Sequence, residues 1–465
     1  MGEPRVFDVI VIGAGPAGEN VAGQCAEGGL AVAIVERELV GGECSYWGCI
    51  PSKALVRPGD VLAAARRVPG ARAAITGGVD PTATFATRDT LTSNWDDSQA
   101  LGWLTERGIE IVRGRGRLAG ERRVAVEAAD GTVLALEARQ AVVLATGTGA
   151  AIPPVPGLRD ATPWDNRDAT AAKKVPGRLL VLGGGAIGLE MAQAFRRLGS
   201  AKVTVVEAAP RLLIREEPFA GEEVRACLEA EGIVVHAGVA MASVRRPAGG
   251  PVEATLADGT VISADEILVA AGRRPATADV GLDPVGLPPG RFVEVDDQLR
   301  AKGVAGDWLY AIGDCNGRAL LTHMGKYQAR IAADVILGHA NAAIADHTIV
   351  PRVTFTDPQV AAVGLTETQA RDAGLPVRCV RYPTGGVAGA SVLGDSFPGT
   401  SQLVVDEHRR VIVGATFVGP GVQELLHSAT VAIAGEVTIE RLWHAVPSFP
   451  TVSEVWLRLL ESYGD

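Results

Sequence analysis

The pattern of apolar and polar positions at the start of the chain predicts a strand, a tight turn, a helix and a second strand. The apolar run of FDVIVIGAGPAG ends at glycines, and a second apolar run, AVAIVER, follows a helical stretch. Short apolar runs bounded by glycine are typical of buried strands in a parallel sheet. The same plan recurs at 178–207 in RLLVLGGGAIGLEMAQAFRRLGSAKVTVVE. The chain is therefore predicted to contain two units of one kind.

The segments that follow the two units are also alike. Residues 101–148 predict short strands and end in AVVLATGTG, and the second unit is followed by ADEILVAAGRRP. The stretch WLYAIGDCNGRALLTHMGKYQARIAADVI then predicts a strand, a turn and a long helix. The last ~115 residues favour an antiparallel sheet with flanking helices. The predicted class is α/β, with two Rossmann-like parts and a C-terminal α+β part.

Composition and charge narrow the classes of partner. Hydrophobic residues make up 47% and charged residues 21% of the 465 residues, as in a globular protein of several domains. The net charge of −10 does not favour nucleic acid or an anionic membrane as a partner. Apolar runs are shorter than the roughly 18 residues of a membrane span, and the first residues lack a signal-peptide pattern. We expect no membrane insertion, a cytoplasmic location and no metal site.

Glycines at the first strand-to-helix turn predict a phosphate-binding site. Gly13, Gly15 and Gly18 form a G-x-G-x-x-G motif between a strand and a helix. The first glycine permits a tight turn, the second lets backbone approach a pyrophosphate, and the third lets the helix pack on the strand. Glu36 ends the next strand, where an acid commonly binds a ribose hydroxyl. This context predicts a dinucleotide site.

A second motif of this type is formed by Gly183, Gly185 and Gly188. Glu207 closes the following strand, and an acid there accepts from a 2′-hydroxyl and repels a 2′-phosphate. NADH is therefore favoured, although Arg211 and Arg215 follow and could bind a 2′-phosphate, which leaves NADPH open. Two such sites suggest a flavin in one and a nicotinamide in the other, with hydride passing between them.

Two of the six cysteines lie together in a glycine-rich segment, GGECSYWGCIPSKAL, and the other four are scattered. Cys44 and Cys49 are five residues apart across a predicted helix start, so they could form a disulfide only in a specific geometry. A thiolate at a helix N-terminus tends to a lowered pKa. In a reducing compartment such a disulfide would be catalytic or redox-sensing.

These motifs, in this order, resemble those of the flavoprotein disulfide reductases, the group of lipoamide dehydrogenase, glutathione reductase and mercuric reductase. The resemblance covers essentially the whole chain and rests on the first glycine motif, GGECSYWGCIPSK, LATG, GGGAIGLE, AAGRRP, AIGD before LLTH, and PTVSE. It implies bound FAD and a homodimer whose active sites take residues from both subunits. It also implies FAD-binding parts at 1–151 and 272–346, an NAD(P)-binding domain at 152–271 and a dimerisation domain at 347–465.

The resemblance further implies roles for single residues. Cys49 would face the flavin, Cys44 would face the substrate, and Lys53 would lie by flavin N5, paired with Glu190. The residues implied to hold FAD are Gly13, Gly15, Gly18, Glu36, Gly42, Lys53, Thr146, Gly147, Asp314, Leu321, Thr322 and His323. Those implied to hold the nicotinamide cofactor are Gly183, Gly185, Gly188, Glu207 and Gly272. The implied catalytic set is Cys44, Cys49, Lys53, Glu190, Phe449 and Glu454.

The terminal motif departs from the family pattern, which reads His-Pro-Thr-x-Ser-Glu. Phe449 stands at the position of the histidine, which in the family is the acid–base partner of the substrate-facing cysteine and is oriented by the glutamate, here Glu454. Phenylalanine can neither stabilise a Cys44 thiolate by charge nor protonate a leaving thiolate. We expect His444 to be a surface or packing residue and Glu454 to cap the following helix.

The intact cofactor motifs beside the missing base favour an NAD(P)H-dependent FAD oxidoreductase that reduces a quinone-like or other non-disulfide acceptor. Phe449, Tyr46 and Trp47 could stack on a flat acceptor, or the last two could simply pack beside the cofactor. One alternative is a disulfide reductase for an unusual substrate that supplies its own acid or uses His444. Another is a redox-sensing or electron-transfer partner protein.

Overall fold

The computed structural model of the chain describes residues 3–464 and divides into two compact units. The first unit contains the residues up to Pro51 together with Asp89–Ala150 and Arg273–His347. The second contains Ser52–Arg88, Ala151–Gly272 and the residues from Thr348 on. Each unit is thus assembled from segments that are distant in sequence.

Strands and helices alternate along most of the described chain. The strands are β1 (Arg5–Ile12), β2 (Val32–Glu36), β3 (Glu110–Arg113), β4 (Arg115–Leu118), β5 (Arg123–Glu127), β6 (Val133–Leu144), β7 (Thr148–Ala150), β8 (Arg178–Leu182), β9 (Lys202–Glu207), β10 (Val234–Ala237), β11 (Met241–Arg245), β12 (Val252–Leu256), β13 (Val261–Ala264), β14 (Glu266–Val269), β15 (Arg273–Pro275), β16 (Leu309–Ala311), β17 (Arg352–Thr354), β18 (Gln359–Gly364), β19 (Val377–Pro383), β20 (Thr400–Asp406) and β21 (Val411–Gly419).

The helices include long ones beside the sheets and several of one or two turns. The α-helices are α1 (Pro16–Glu27), α2 (Gly42–Tyr46), α3 (Cys49–Arg67), α4 (Pro69–Arg72), α5 (Pro81–Leu91), α6 (Ser98–Glu106), α7 (Asn166–Ala171), α8 (Ala186–Leu198), α9 (Pro218–Ala230), α10 (Thr322–Ile336), α11 (Ala345–Thr348), α12 (Glu367–Asp372), α13 (Ala388–Leu393), α14 (Leu426–Ala434), α15 (Ile439–Leu442) and α16 (Val455–Tyr463). Short 3₁₀ helices lie at Ser93–Trp95, Asp283–Val285, Gly313–Asn316, Val422–Leu425 and Val452–Glu454.

The first unit is built on a seven-stranded sheet in the order β3-β2-β1-β6-β5-β4, with β16 also paired to β6. β1 runs parallel to β2 and β6, and its residues from Val9 to Ile12 are buried, as expected for a parallel strand covered on both faces. The carboxyl ends of β1, β6 and β16 lie at one edge of this sheet because the three strands are parallel neighbours. Ligands of open α/β sheets bind at this edge.

The second unit contains three sheets. A four-stranded parallel sheet has the order β10-β9-β8-β14, and a three-stranded sheet has the order β11-β12-β13. A five-stranded antiparallel sheet in the order β17-β18-β21-β20-β19 carries the C-terminal helices, and Phe417 of β21 is fully buried against Trp456 of α16. These sheets confirm the predicted α/β class with a C-terminal α+β part.

No helix within residues 3–464 combines the length and the apolar character that crossing a bilayer requires.

Candidate functional site

The turn between β1 and α1 is shaped by two glycines that no other residue could replace without moving backbone. Gly13 has φ of 104°, a left-handed value, and a Cβ on it would lie 2.4 Å from Ala145 O. A Cβ on Gly18 would lie 1.9 Å from Gly13 O, whereas a Cβ on Gly15 would meet open space. The helix therefore packs directly on the turn, and the open side at Gly15 is left for a ligand.

The N-terminus of α1 and the carboxylate of Glu36 complete this turn. Gly15, the N-cap residue, makes no side-chain cap hydrogen bond, so no side chain competes for the first helical N–H groups. Glu36 Oε2 accepts from Ala14 N at 2.8 Å and Oε1 accepts from Glu38 N at 2.7 Å, which fixes the carboxylate beside the turn. A pyrophosphate and an adenosine ribose fit this arrangement.

The turn between β8 and α8 repeats the same geometry in the second unit. A Cβ on Gly188 would lie 2.1 Å from Gly183 O, and Gly185 again faces open space. Glu207 Oε2 accepts from Gly184 N at 2.6 Å and Oε1 accepts from Ala209 N at 2.7 Å. Because both turns carry the same backbone cradle and the same pinned carboxylate, both fit dinucleotides.

Arg211, which the sequence offered as a 2′-phosphate ligand, is engaged in its own loop. Its Nη1 donates to the carbonyls of Leu212 and Leu213 at 3.4 and 2.9 Å, and its Nη2 donates to those of Ile214 and Glu216 at 3.0 and 2.8 Å. A guanidinium committed to four carbonyls has little capacity left for a phosphate. Arg215 is exposed.

Asp314 lies in a polar cluster at the edge of the first unit's sheet. Thr148 Oγ1 donates to Asp314 Oδ2 at 2.7 Å, and Arg273 Nε donates to Thr148 Oγ1 at 2.6 Å. Burial raises the pKa of the Asp314 carboxyl, an effect that the Thr148 hydroxyl and the Arg273 charge oppose. Thr148 and Arg273 were not singled out in the sequence, although Arg273 lies within the AAGRRP motif.

The neighbouring predicted positions are placed as follows. Thr146 lies between the ends of β6 and β7, and Gly147 has φ of 71°. Leu321 is the N-cap residue of α10, and His323, in the first turn of this helix, is exposed. Gly272 has φ of 135° and its carbonyl accepts from Ala151 N at 3.0 Å.

The side chains of Cys44 and Cys49 are hydrogen-bonded to each other. Cys44 is half-buried in α2, and Cys49 is exposed at the start of α3. Cys49 Sγ lies 3.3 Å from Thr322 Oγ1, at the N-terminus of α10. The hydrogen bond to the Cys49 side chain raises the pKa of the Cys44 thiol, and burial raises it further. Both effects disfavour the thiolate form of Cys44.

Lys53 and Glu190 form an ion pair in the second unit. Lys53 Nζ donates to Glu190 Oε2 at 2.7 Å, and Phe355 N donates to Oε1 of the same carboxylate at 2.9 Å. The ammonium lies 4.5 Å from the centroid of the Phe355 ring, within the range of a cation–π contact. Glu190 is buried, so these contacts satisfy both of its oxygens and fix the ammonium. No sequence motif indicated that Phe355 would contact Glu190 and Lys53.

Phe449, in the C-terminal segment, is 75% exposed to solvent in the single chain. Glu454 is 7% exposed, and its Oε1 accepts from Arg458 Nη2 at 2.6 Å. Its Oε2 is buried and has no hydrogen-bond partner within residues 3–464. His444 is exposed in the turn that follows α15, as expected for a surface histidine.

Two expectations about side chains in these segments are corrected in part. Glu454 lies at the N-cap position of α16, where its charge is favourable, but it makes no side-chain cap hydrogen bond, and its carboxylate accepts from Arg458 one turn on. Tyr46 does not offer a face to an acceptor, because it is only 5% exposed and its ring packs 5.7 Å from that of Trp47. For Tyr46 the packing interpretation is correct.

Comparison with known proteins agrees with this geometry. The family model described as pyridine nucleotide-disulphide oxidoreductase matches residues 7–344, and that of the dimerisation domain of these enzymes matches residues 350–459. Dihydrolipoyl dehydrogenase 3 of Pseudomonas aeruginosa is 36% identical over 96% of each chain. Mercuric reductase of Shigella flexneri is 33% identical over 95% of this chain and 78% of its own. The Cu(II) complex of the HOCl-induced flavoprotein disulfide reductase RclA from Escherichia coli superposes with a TM-score of 0.86 and 25% identity over 99% of each chain.

Proposed function

The chain belongs to the pyridine nucleotide-disulphide oxidoreductase family, and on that premise we propose that it passes electrons from NADH, through FAD, to a quinone-like or other non-disulfide acceptor. Enzymes of this family use FAD and NAD(P)H. The observation that carries the proposal is Phe449, which puts a side chain without an ionisable group where the family has its acid–base histidine. The acceptor must then be one whose reduction needs no proton transfer from that position.

The thiol pair supports the same conclusion. Only a thiolate attacks a disulfide, and the raised pKa of Cys44 keeps its sulfur protonated at neutral pH. Loss of a positioned acid–base group typically lowers a rate by about 10² to 10⁴. Exchange with a small disulfide is therefore expected to be slow, while Cys44 and Cys49 could still store electrons.

When bound, FAD supplies the one- and two-electron chemistry that such acceptors need. The chain's own residues bind and orient. In this proposal the first glycine turn and Glu36 hold the FAD pyrophosphate and adenosine, and Asp314 holds the ribityl chain. Lys53, fixed by Glu190, places a positive charge at the flavin. Catalytic roles for Cys44, Cys49 and Glu454 are proposed on the same family membership, and the division into cofactor domains at 151, 271 and 346 remains a prediction.

We further propose that NADH is used in preference to NADPH. The Glu207 carboxylate is fixed by two backbone N–H groups, and in the proposed site it faces the adenosine ribose and would repel a 2′-phosphate. Arg211 is committed to four carbonyl oxygens and so offers that phosphate little compensation. Arg215 is the remaining nearby cation.

The match to a dimerisation domain supports a homodimer. The second unit leaves several large apolar side chains exposed in the single chain, and these include Val392, Leu393, Trp443, Val446 and Phe449. In the proposed assembly this surface is covered by a second copy, and each site takes residues from both subunits. A reducing cytoplasm is the compartment in which the dithiol would serve such turnover.

A soft metal ion is a second candidate acceptor. One relative is named mercuric reductase, and the RclA structure is described as a Cu(II) complex. Two thiols in contact, Cys44 and Cys49, are the ligand type that such ions prefer. Residues 3–464 contain no cluster of three or more His, Cys, Asp or Glu that could hold a resident metal. In this second candidate function the metal ion is the substrate, bound at the two sulfurs.

The proposal is tested by steady-state rates of NADH and NADPH oxidation by the holoenzyme with a panel of acceptors. The panel contains a benzoquinone, a redox dye, Cu(II), Hg(II), lipoamide and glutathione disulfide. The proposal expects the benzoquinone or dye to exceed lipoamide by at least about 100-fold in kcat/KM. Lipoamide or glutathione disulfide as the best acceptor would overturn it and favour a disulfide reductase. Slow turnover with every acceptor would favour a redox-sensing or electron-transfer partner protein.

A further inference from the structure

Three consecutive residues in the first unit adopt the left-handed conformation. Ser93, Asn94 and Trp95 have φ of 49°, 52° and 59°. This conformation is unfavourable for residues with a Cβ, and a run of three without glycine is rare. The turn is closed by Trp95 N donating to Thr92 O at 2.8 Å and Asp96 N donating to Ser93 O at 3.0 Å. Such strain persists only where surrounding contacts over-determine it, often beside functional groups.

The contacts made from this turn converge on the segment that carries Cys44. Trp95 Nε1 donates to Tyr46 O, the last residue of α2, at 3.2 Å. Tyr46 Oη in turn donates to Asp96 O at 3.4 Å. Asp97 Oδ2 accepts from Val40 N at 2.8 Å, just before the glycines that begin α2. Three successive residues, 95 to 97, thus grip the two ends of the segment 40–46.

The short helix α2 is also held at its start, where Gly41 N donates to Ala14 O at 2.8 Å. It has five residues, and its N-cap, Gly41, is left-handed and makes no side-chain cap hydrogen bond. Helices this short are not stable alone. Its C-terminal end matters most for the thiols, because Trp47 and Gly48 are the only residues between α2 and Cys49. A shift at Tyr46 therefore changes the separation of Cys44 and Cys49, and disulfide formation depends closely on that separation.

We propose that Trp95 is a positioning residue for the Cys44–Cys49 pair: its indole N–H, presented by the left-handed turn Ser93–Trp95, holds the end of α2 so that the two sulfurs stay in bonding geometry. The inference rests on the thiol pair being a redox couple and is independent of the acceptor. Its test therefore measures the couple itself. A failure of the proposed acceptor chemistry would leave the result unaffected.

The test is the thiol–disulfide equilibrium of the holoenzyme in dithiothreitol buffers without nicotinamide. In this exchange the Cys44–Cys49 dithiol and oxidised dithiothreitol form the protein disulfide and reduced dithiothreitol. Two electrons and two protons move to the reagent. Acid quenching, alkylation and mass spectrometry give the oxidised fraction. Trp95→Phe keeps an aromatic ring and removes the donor. The equilibrium constant for forming the protein disulfide should fall about tenfold, a shift of about 30 mV.

Two further variants separate the donor from bulk and from folding. Trp103→Phe is the matched control, because Trp103 is a partly exposed tryptophan of α6 in the same unit whose ring lies beside Gly23 of α1. Its equilibrium constant should stay within about twofold of the wild type. Trp95→His retains a ring N–H in a smaller side chain and should recover most of the loss. It also carries the test if Trp95→Phe does not retain FAD.

The outcomes decide the proposal directly. A wild-type equilibrium constant in Trp95→Phe would overturn it, because the N–H would then not hold the pair. An equilibrium constant lowered by about tenfold in a folded Trp95→His variant would also overturn it, since the bulk of the side chain and not its donor would be responsible. A lower equilibrium constant in Trp95→Phe, with nearly wild-type constants in Trp103→Phe and Trp95→His, would support it.

Discussion

The thiol pair and the C-terminal segment differ in how completely their polar groups are satisfied. Cys44 and Cys49 contact each other, and Cys49 Sγ lies 3.3 Å from the Thr322 hydroxyl. In the C-terminal segment one buried oxygen of Glu454 has no hydrogen-bond partner within residues 3–464, and Phe449 has no proton to give. The thiol pair is held by formed contacts, whereas in the C-terminal segment Glu454 has no histidine at position 449 to orient. On the proposed function, this difference corresponds to a loss of proton transfer and not of electron transfer.

The largest expected effect is the return of disulfide chemistry in Phe449→His. An imidazole at this position restores a group that can take the proton of Cys44, and Glu454 is available to orient it. Turnover with lipoamide should rise by about 10² or more, and turnover with a benzoquinone should change less than about twofold. Steady-state kinetics with both acceptors measure the effect.

The matched control is the double variant Phe449→His with Glu454→Gln, in which the imidazole has no carboxylate. Most of the gain with lipoamide should disappear. If Phe449→His shows no higher turnover with lipoamide or glutathione disulfide, the loss of a base at this position does not by itself explain the low disulfide reductase activity expected of the chain.

The second expectation concerns the pH dependence of Cys44. A thiol with a raised pKa stays protonated as the pH rises through neutrality, so its thiolate fraction grows about tenfold per pH unit. Alkylation of Cys44 in the reduced holoenzyme should thus increase about 100-fold from pH 7 to pH 9 without reaching a plateau. Peptide mass spectrometry separates Cys44 from Cys49, and a plateau below pH 8 would contradict the raised pKa.

A third expectation concerns the turn between β8 and α8, which is proposed to bind the nicotinamide cofactor. The wild type should prefer NADH to NADPH in kcat/KM, and Glu207→Gln should reduce that preference about tenfold, because the negative charge that repels a 2′-phosphate is gone. Glu229→Gln, at an exposed ion pair with Arg225 in the same unit, is the control and should leave the preference unchanged. An unchanged ratio in Glu207→Gln would show that discrimination lies elsewhere.

The smallest expected effect is on stability. Glu190→Gln keeps an oxygen for Phe355 N but removes the charge that pairs with Lys53, whose side chain is 37% exposed. Because solvent screens a partly exposed ammonium, the free energy of unfolding should fall by about 1 kcal/mol, which is seen as a lower urea midpoint. Glu229→Gln should lower the free energy of unfolding by less than about 0.5 kcal/mol. Equal midpoints for the two variants would show that the buried carboxylate gains nothing from its pairing.

Local motifs could be predicted from the sequence because their geometry is dictated within a few residues. The glycine turns are of this kind, since Gly18 lies against Gly13 and Glu36 accepts from Ala14 for steric and hydrogen-bonding reasons that the spacing encodes. The substitution at Phe449 was visible for the same reason. The ion pair between Glu454 and Arg458 could also be predicted from the sequence, because residues four apart on a helix face each other.

What the sequence did not predict depends on contacts between distant segments. The left-handed turn at Ser93–Trp95 has no glycine to mark it, and its purpose is apparent only once Trp95 meets Tyr46. The commitment of Arg211 to four carbonyls depends on the path of its loop. The burial of Tyr46 likewise depends on packing, which periodicity over five residues of α2 cannot reveal.

The most direct measurement of the central claim is the ratio of kcat/KM for a benzoquinone to that for lipoamide, with NADH and wild-type holoenzyme. The chain is predicted to favour the benzoquinone by at least about 100-fold, because Phe449 supplies no proton for thiol–disulfide exchange. A ratio at or below one would contradict the claim, since it would show efficient disulfide chemistry without a base at that position.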